Sequence, residues 1–170
     1  MERRIAIQKL EASHIPRLVA AFEGYGGDRT EEKFRRMLRS QKLGALTGWV
    51  VLADEEIAGY VTVIWRSCLR QFKERDIPEI SDLNILSQFR RRRLATYLLD
   101  RAEDDIMARS AVAGIGVGLT EDYGPAQALY VRRGYLPLGI GLTYDYEPVR
   151  HGERVIVDDD LVFWLTKRLR

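Results

Sequence analysis

The stretch from Glu79 to Met107 constrains the fold of this chain more than any other. Glu79 to Leu86 reads as a strand. Ser87-Gln88-Phe89 and four consecutive arginines, Arg90, Arg91, Arg92 and Arg93, follow it. Leu94, Leu98, Ala102 and Ile106 then recur at every fourth residue, the pattern of a helix with one buried face. A strand that feeds a helix through a short loop is a building unit of α/β folds, in which the helix covers a sheet. The head of that helix points free backbone N–H groups and the positive end of its dipole at the loop, which favours a phosphate. The guanidinium groups add charge there, and small Ala95 and Thr96 let a ligand approach the backbone. The segment by itself leaves three readings open: a site for a phosphorylated ligand, a solvated basic helix start, or a nucleic-acid patch in which Phe89 stacks on a base.

The rest of the chain fits around this unit. Arg3 to Lys9 alternates around Ile5 and Ile7 as a first strand. Ser13 is placed to cap a helix carrying Ile15, Leu18, Val19 and Phe22, and Gly24-Tyr25-Gly26-Gly27-Asp28 ends it. Thr30 caps a second helix with Phe34, Met37 and Leu38. Trp49–Ala53 and Ile57–Trp65 form a hairpin about Asp54-Glu55-Glu56. Ser67 to Pro78 reads as an irregular polar insertion. Ile115, Val117 and Leu119 alternate with Gly114, Gly116 and Gly118 in a further strand. Pro125 opens a helix that Gly134 closes, and Tyr135–Tyr146 and Val155–Leu169 are the last strands. The expectation is a single α/β domain over residues 1–170, with helices on both faces of a mixed, mostly antiparallel sheet of about seven strands.

Charge and composition exclude several function classes. The 170 residues carry a formal charge of only +2, which argues against a general nucleic-acid or membrane-surface role. No apolar run is long enough to span a bilayer, and no apolar signal region opens the chain. Cys68 is the only cysteine, so no internal disulfide forms; a lone thiol suits a reducing cytoplasm. His14 and His151 stand apart and make no metal site, and Asp158-Asp159-Asp160 lacks the spacing of a calcium loop. No metal is expected.

Two segments together resemble a known family, the GNAT superfamily of N-acetyltransferases. The family's coenzyme motif is Arg or Gln, two residues, Gly, one residue, then Gly or Ala. Arg90 fills its first position and Ala95 its last, while Arg93 stands in place of the glycine. Downstream, Tyr123-Gly124-Pro125-Ala126-Gln127-Ala128-Leu129-Tyr130-Val131-Arg132-Arg133-Gly134-Tyr135 is similar to the second motif, with Tyr123 where an Asn is usual. The resemblance implies acetyl-CoA as co-substrate. It implies that the strands around Ile80–Leu86 and Ile115–Leu119 splay to hold the pantetheine arm. Leu83, Asn84 and Ile85 would then serve the thioester, Arg90 to Thr96 the pyrophosphate, and Tyr123 and Ala126 the rest of the coenzyme. The glycine face of residues 114–118 leaves room either for that ligand or for a packed neighbour.

Acyl transfer to an amine needs a base for the amine and a proton for the departing thiolate. By the motif match, Tyr130 is the candidate acid; the alternative is a core aromatic. Glu79, at the mouth of a strand beside Ile77 and Ile80, is the candidate base, with Asp82 as runner-up and a strand-edge charge as the alternative. Attack is direct, in a ternary complex, without a covalent enzyme intermediate. The resemblance also implies that the acceptor site is walled by Gly24–Asp28 and by roughly Tyr144–Glu153. The acceptor is a primary amine of a small molecule, a peptide or a protein; Glu23, Asp28, Asp145 and Glu147 hint at a cationic one, and a homodimer fits the family. The departures at Arg93 and Tyr123 keep open an acyl-CoA sensor without turnover.

Overall fold

The computed structural model describes residues 4–170. Eight strands lie among them, β1 (Ile5–Lys9), β2 (Leu46–Ala53), β3 (Glu56–Ile64), β4 (Glu79–Ile85), β5 (Val112–Val117), β6 (Leu136–Tyr144), β7 (Glu147–Pro148) and β8 (Leu161–Arg168). Five α-helices accompany them, α1 (Ile15–Ala21), α2 (Glu31–Lys42), α3 (Arg70–Glu74), α4 (Leu94–Met107) and α5 (Gly124–Arg132). The strand expected from Arg3 begins at Ile5, Arg3 lying outside the described residues. Contacts divide the chain into two compact units, each assembled from two separate stretches: residues 4–65 with 80–105, and 66–79 with 106–170. Interleaved stretches leave no linker, so the sequence carries no sign of the boundary.

In the first unit the strand order is β1-β2-β3-β4, and β1, β2 and β3 run antiparallel. The β2–β3 turn holds Asp54 at φ 51° and Glu55 at φ 68°, the two left-handed residues of a tight hairpin. The cap ahead of α1 differs from expectation and sits on a 3-10 turn, Ala12–His14, that leads into the helix. Glu11 and His14 bond reciprocally, each side chain to the other's backbone N–H, so Ser13 is not the cap. Thr30 does cap α2, its Oγ1 accepting from the Lys33 N–H at 3.2 Å. Fully buried Tyr60 of β3 forms the centre of this unit, with Phe22 and Phe34 edge-on at 5.3 and 5.4 Å. The stripe Leu94, Leu98, Ala102 and Ile106 is buried along α4 as the spacing predicts.

In the second unit the order is β5-β8-β6-β7. The eighth strand, absent from the expected seven, is β7: two residues pair with Thr143 and Tyr144, too short for periodicity to reveal. Conversely, the segment before Leu161 is not strand. The insertion 67–78 is not irregular throughout, nor polar in effect. It forms α3, and Leu69, Phe72 and Ile77 build a core with Trp164. Gly114 exists for this core, because a Cβ there would lie 2.3 Å from the Phe72 ring. Likewise Gly116 makes way for Val162 and Trp164, and Gly118 for the Tyr123 ring. The glycine face is thus filled by side chains of this unit. Helix α5 ends as its sequence predicts, with Gly134 at φ 92°, its N–H on Val131 O and the Tyr135 N–H on Tyr130 O.

Candidate active site

The first unit brings together the end of β4, the loop after it and the head of α4. Strand β4 is interrupted at Asp82, whose φ of 54° is left-handed. That break changes the phase of the side chains on its two sides, Glu79 before it and Leu83 to Ile85 after it. After Leu86, whose N–H bonds Ala58 O at 2.9 Å, the chain makes a 3-10 turn at Ser87–Phe89. The Arg90 Nε donates to Ile85 O and closes the loop. Arg91 follows at φ 61° and Arg93 at φ 60°. A non-glycine residue in this region costs roughly 1–2 kcal/mol. Arg93 occupies the place of the motif glycine and holds a positive φ there. The motif glycine is accounted for: the loop needs a left-handed residue in front of α4.

The arrangement fits a pyrophosphate. Backbone that turns left-handed twice in three residues gathers successive N–H groups into an anion-binding concavity. Tyr97 is the first residue of α4 whose N–H bonds back, to Arg93 O at 3.1 Å. The N–H groups of Leu94, Ala95 and Thr96 precede that ladder. The Arg90, Arg91, Arg92 and Arg93 side chains are all exposed, while Leu94 is buried and anchors the helix start. Phe89 is buried and has the Arg92 guanidinium 5.5 Å above its ring, so its face is not offered to a base. Half-buried Leu83 and Ile85 flank Asn84, whose side chain bonds the Asp82 carboxylate and backbone.

Sequence reasoning missed the partners of this loop. Tyr25, in the glycine-rich segment after α1, accepts the Ser87 N–H at 3.0 Å, and its hydroxyl lies 2.8 Å from Ser87 Oγ. The Ser87 bonds hold its phenol below the ordinary range. Asp82, the runner-up base, is engaged by the Lys33 ammonium at 2.6 Å. The only local signal was the glycine cluster around Tyr25.

The second unit holds the two candidate proton-transfer groups. Glu79 is buried, and burial pushes its carboxyl up against a bond from Ser67 Oγ at 2.5 Å, which pulls it down. Ser67 Oγ itself accepts the Leu69 N–H at 3.0 Å. Tyr146, tilted against Trp164, has its phenol pushed up to about 12 by burial and then by Glu79 and Cys68. Cys68 is exposed. Tyr130 of α5 is buried beside Tyr135 at 6.1 Å, and burial alone pushes its phenol up to about 12. Tyr123 packs on Gly118 and donates to Asp159 at 2.7 Å, and Ala126 is half-buried. Among the described residues no cluster of His, Cys, Asp and Glu could hold a metal ion.

A strand, a loop with left-handed backbone and a helix N-terminus in an α/β chain are the parts from which anion-binding sites of phosphorylated co-substrates are built. The family model for the acetyltransferase (GNAT) family matches residues 15–135, and the chain belongs to that family. It is thereby an acyltransferase that uses acetyl-CoA. Solved structures share the fold at low identity. Arabidopsis thaliana NAA60 in complex with acetyl-CoA superposes with a TM-score of 0.71 at 14% identity, over 97% of this chain and 98% of that one. The ribosomal-protein-S18-alanine N-acetyltransferase of Escherichia coli gives 0.68 at 15%, over 98% and 94%. The PaiA N-acetyltransferase of Thermoplasma acidophilum in complex with coenzyme A gives 0.65 at 14%, over 97% and 99%. No curated protein matches the sequence.

Proposed function

We propose that the chain is an N-acetyltransferase that moves the acetyl group of acetyl-CoA to a primary amine by direct attack in a ternary complex. The observation that carries this is the doubly left-handed backbone at Arg91 and Arg93 in front of α4. Such backbone has a cost, and a pyrophosphate gives it a purpose. In this reading the loop N–H groups and the exposed arginines bind the pyrophosphate. Glu79 takes the proton of the amine, directly or through water, its buried carboxyl being a stronger base than an exposed one. Tyr130 stays protonated throughout the neutral range and donates a hydrogen bond to the departing sulfur. A thiol near 8.5 does not take a full proton from a phenol near 12, so Tyr130 stabilises the thiolate and water completes the protonation. The acceptor is a small molecule or a peptide; the S18-alanine N-acetyltransferase among the fold neighbours supports including peptide N-termini.

Calorimetric titration with acetyl-CoA tests the proposal, with Arg91→Ala/Arg92→Ala as control. Saturable binding that weakens in the variant is expected, followed by thiol release with amine acceptors. Absence of binding at millimolar coenzyme would remove the enzymatic reading of this loop.

A further inference from the structure

Among the described residues, two buried side-chain polar atoms lack a hydrogen-bond partner, Arg29 Nε and Tyr60 Oη. Both belong to the first unit. Tyr60 is 1% exposed, and its hydroxyl stands beside Asp82 and Arg29 without bonding geometry to either. Burial first, and then the Asp82 carboxylate, push the phenol upward, so it remains a donor. Arg29 follows the glycine-rich segment. Gly27, at φ 81°, leaves the space for it, since a Cβ there would lie 2.9 Å from Arg29 Nη1. Its Nη2 reaches Asn84 Oδ1 on β4 at 2.7 Å, and its Nε has no partner. Lys33 and Asp82 form the partly exposed rim of this cluster, paired at 2.6 Å.

A buried polar atom without a partner is costly, and two that adjoin are rarely left without a role. Both orphans donate, so the group that satisfies them is an oxygen. Arg29, Lys33 and Arg36 carry three positive charges against the carboxylates of Asp82 and Asp28, which leaves one cation uncompensated. Water would supply the oxygen without the charge. We infer that Arg29 and Tyr60 form a subsite for a carboxylate of the acceptor, so that the amine acetylated belongs to a carboxylate-bearing molecule of amino-acid type. The inference rests on the acyltransferase reading above. The carboxylate takes the Nε–H of Arg29 and the Tyr60 O–H, and Lys33 with Asp82 closes the rim. An arginine Nε suits this place better than a lysine ammonium does, because the planar guanidinium, held by Asn84 through Nη2, fixes the direction in which Nε donates.

The test uses the whole protein, acetyl-CoA, and the standard L-amino acids beside their carboxamides, with thiol release and thermal shift as readouts. Acids are expected to be acetylated and to raise Tm, with carboxamides at least ten-fold poorer in kcat/KM. In Tyr60→Phe, KM for the preferred acid rises on the order of ten-fold, as for a lost hydrogen bond to a charged group. The unliganded variant keeps or gains Tm, because its missing hydroxyl bonded nothing in the free protein. Arg29→Lys keeps the charge, loses the Nε donor and behaves alike in KM. Equal use of acids and carboxamides, use of neither, or an unchanged KM in Tyr60→Phe would overturn the inference; the last would assign the orphans to an internal water. If acetyl-CoA itself fails to bind, the acyltransferase reading falls first, and calorimetry separates the two failures.

Discussion

Arg93 shows how much one residue can reveal about a loop. Its φ of 60° is the conformation for which the family's coenzyme motif keeps a glycine. Arg93→Gly should remove a backbone penalty of roughly 1 kcal/mol net of glycine's greater chain entropy. That corresponds to a Tm increase of about 2–4 °C in a domain of this size. An unchanged or lower Tm would show that the guanidinium has a stabilising partner. The two proton-transfer candidates predict a pH profile. Burial raises Glu79 above the ordinary carboxyl value of 4.5, so the acid limb of kcat/KM should lie above that value and flatten in Glu79→Gln. For stability the sign is opposite. A raised carboxyl favours the protonated folded state, so its contribution is present below pH 4.5 and is lost as pH rises through its folded value. Tyr130, at about 12, contributes no alkaline limb below pH 10. Cys68→Ala should leave turnover intact, since direct attack does not use the thiol; loss of activity with coenzyme still bound would refute direct attack.

Elements carry the next level of information, and here the sequence was legible where one helix or hairpin decides its own form. The α4 stripe, the Thr30 cap, the Pro125–Gly134 helix and the Asp54–Glu55 turn are all local, and all were readable. What the sequence hid depends on distant partners. Ser67 meets Glu79 across twelve positions, Tyr25 meets Ser87 across sixty-two, and Gly114 is explained only by Phe72. The positive φ at Asp82, Arg91 and Arg93 was equally hidden, because Asp82 lies inside a strand pattern and arginine is not a residue that favours left-handed backbone. The cap ahead of α1 yields a pH prediction. His14 Nδ1 accepts the Glu11 N–H, and its Nε2 lies 2.9 Å from Gln8 Oε1, which fixes the neutral ring with its proton on Nε2. Burial lowers its pKa, opposed by Glu11 and aided by Arg17. The unfolded chain then binds the proton first, so stability falls as pH drops below 6.5 through the folded value. Tm measured from pH 7.5 downward should fall less steeply in His14→Gln than in the parent. The Tyr25 bonds predict that Tyr25→Phe speeds hydrogen exchange at the Ser87 amide while leaving the ring contact with Phe22 in place.

At the scale of the whole molecule, charge distribution separates a phosphate site from a nucleic-acid surface. Twenty-seven basic residues face twenty-five acidic ones, so no broad positive field surrounds the protein. The four arginines at the head of α4 are a local concentration, and their neighbour Phe89 is buried rather than offered to a base. Duplex binding would require many phosphates neutralised over an extended face. A single coenzyme needs only a few contacts at one loop. Acetyl-CoA affinity should therefore weaken modestly between low salt and about 0.5 M, as exposed charges are screened. Duplex DNA should not be retained at physiological salt. Replacing Arg91 and Arg92 together by alanine makes this sharper. Alanine keeps a Cβ at the left-handed position 91, so the backbone penalty stays and only the charges go. The variant should bind acetyl-CoA roughly 5- to 30-fold more weakly, the loss expected for exposed charge-assisted bonds. Its residual affinity should also depend less on salt than the parent's, Arg90 and Arg93 being the exposed charges left at the loop. Equal salt dependence in parent and variant would place the coenzyme phosphates away from this loop.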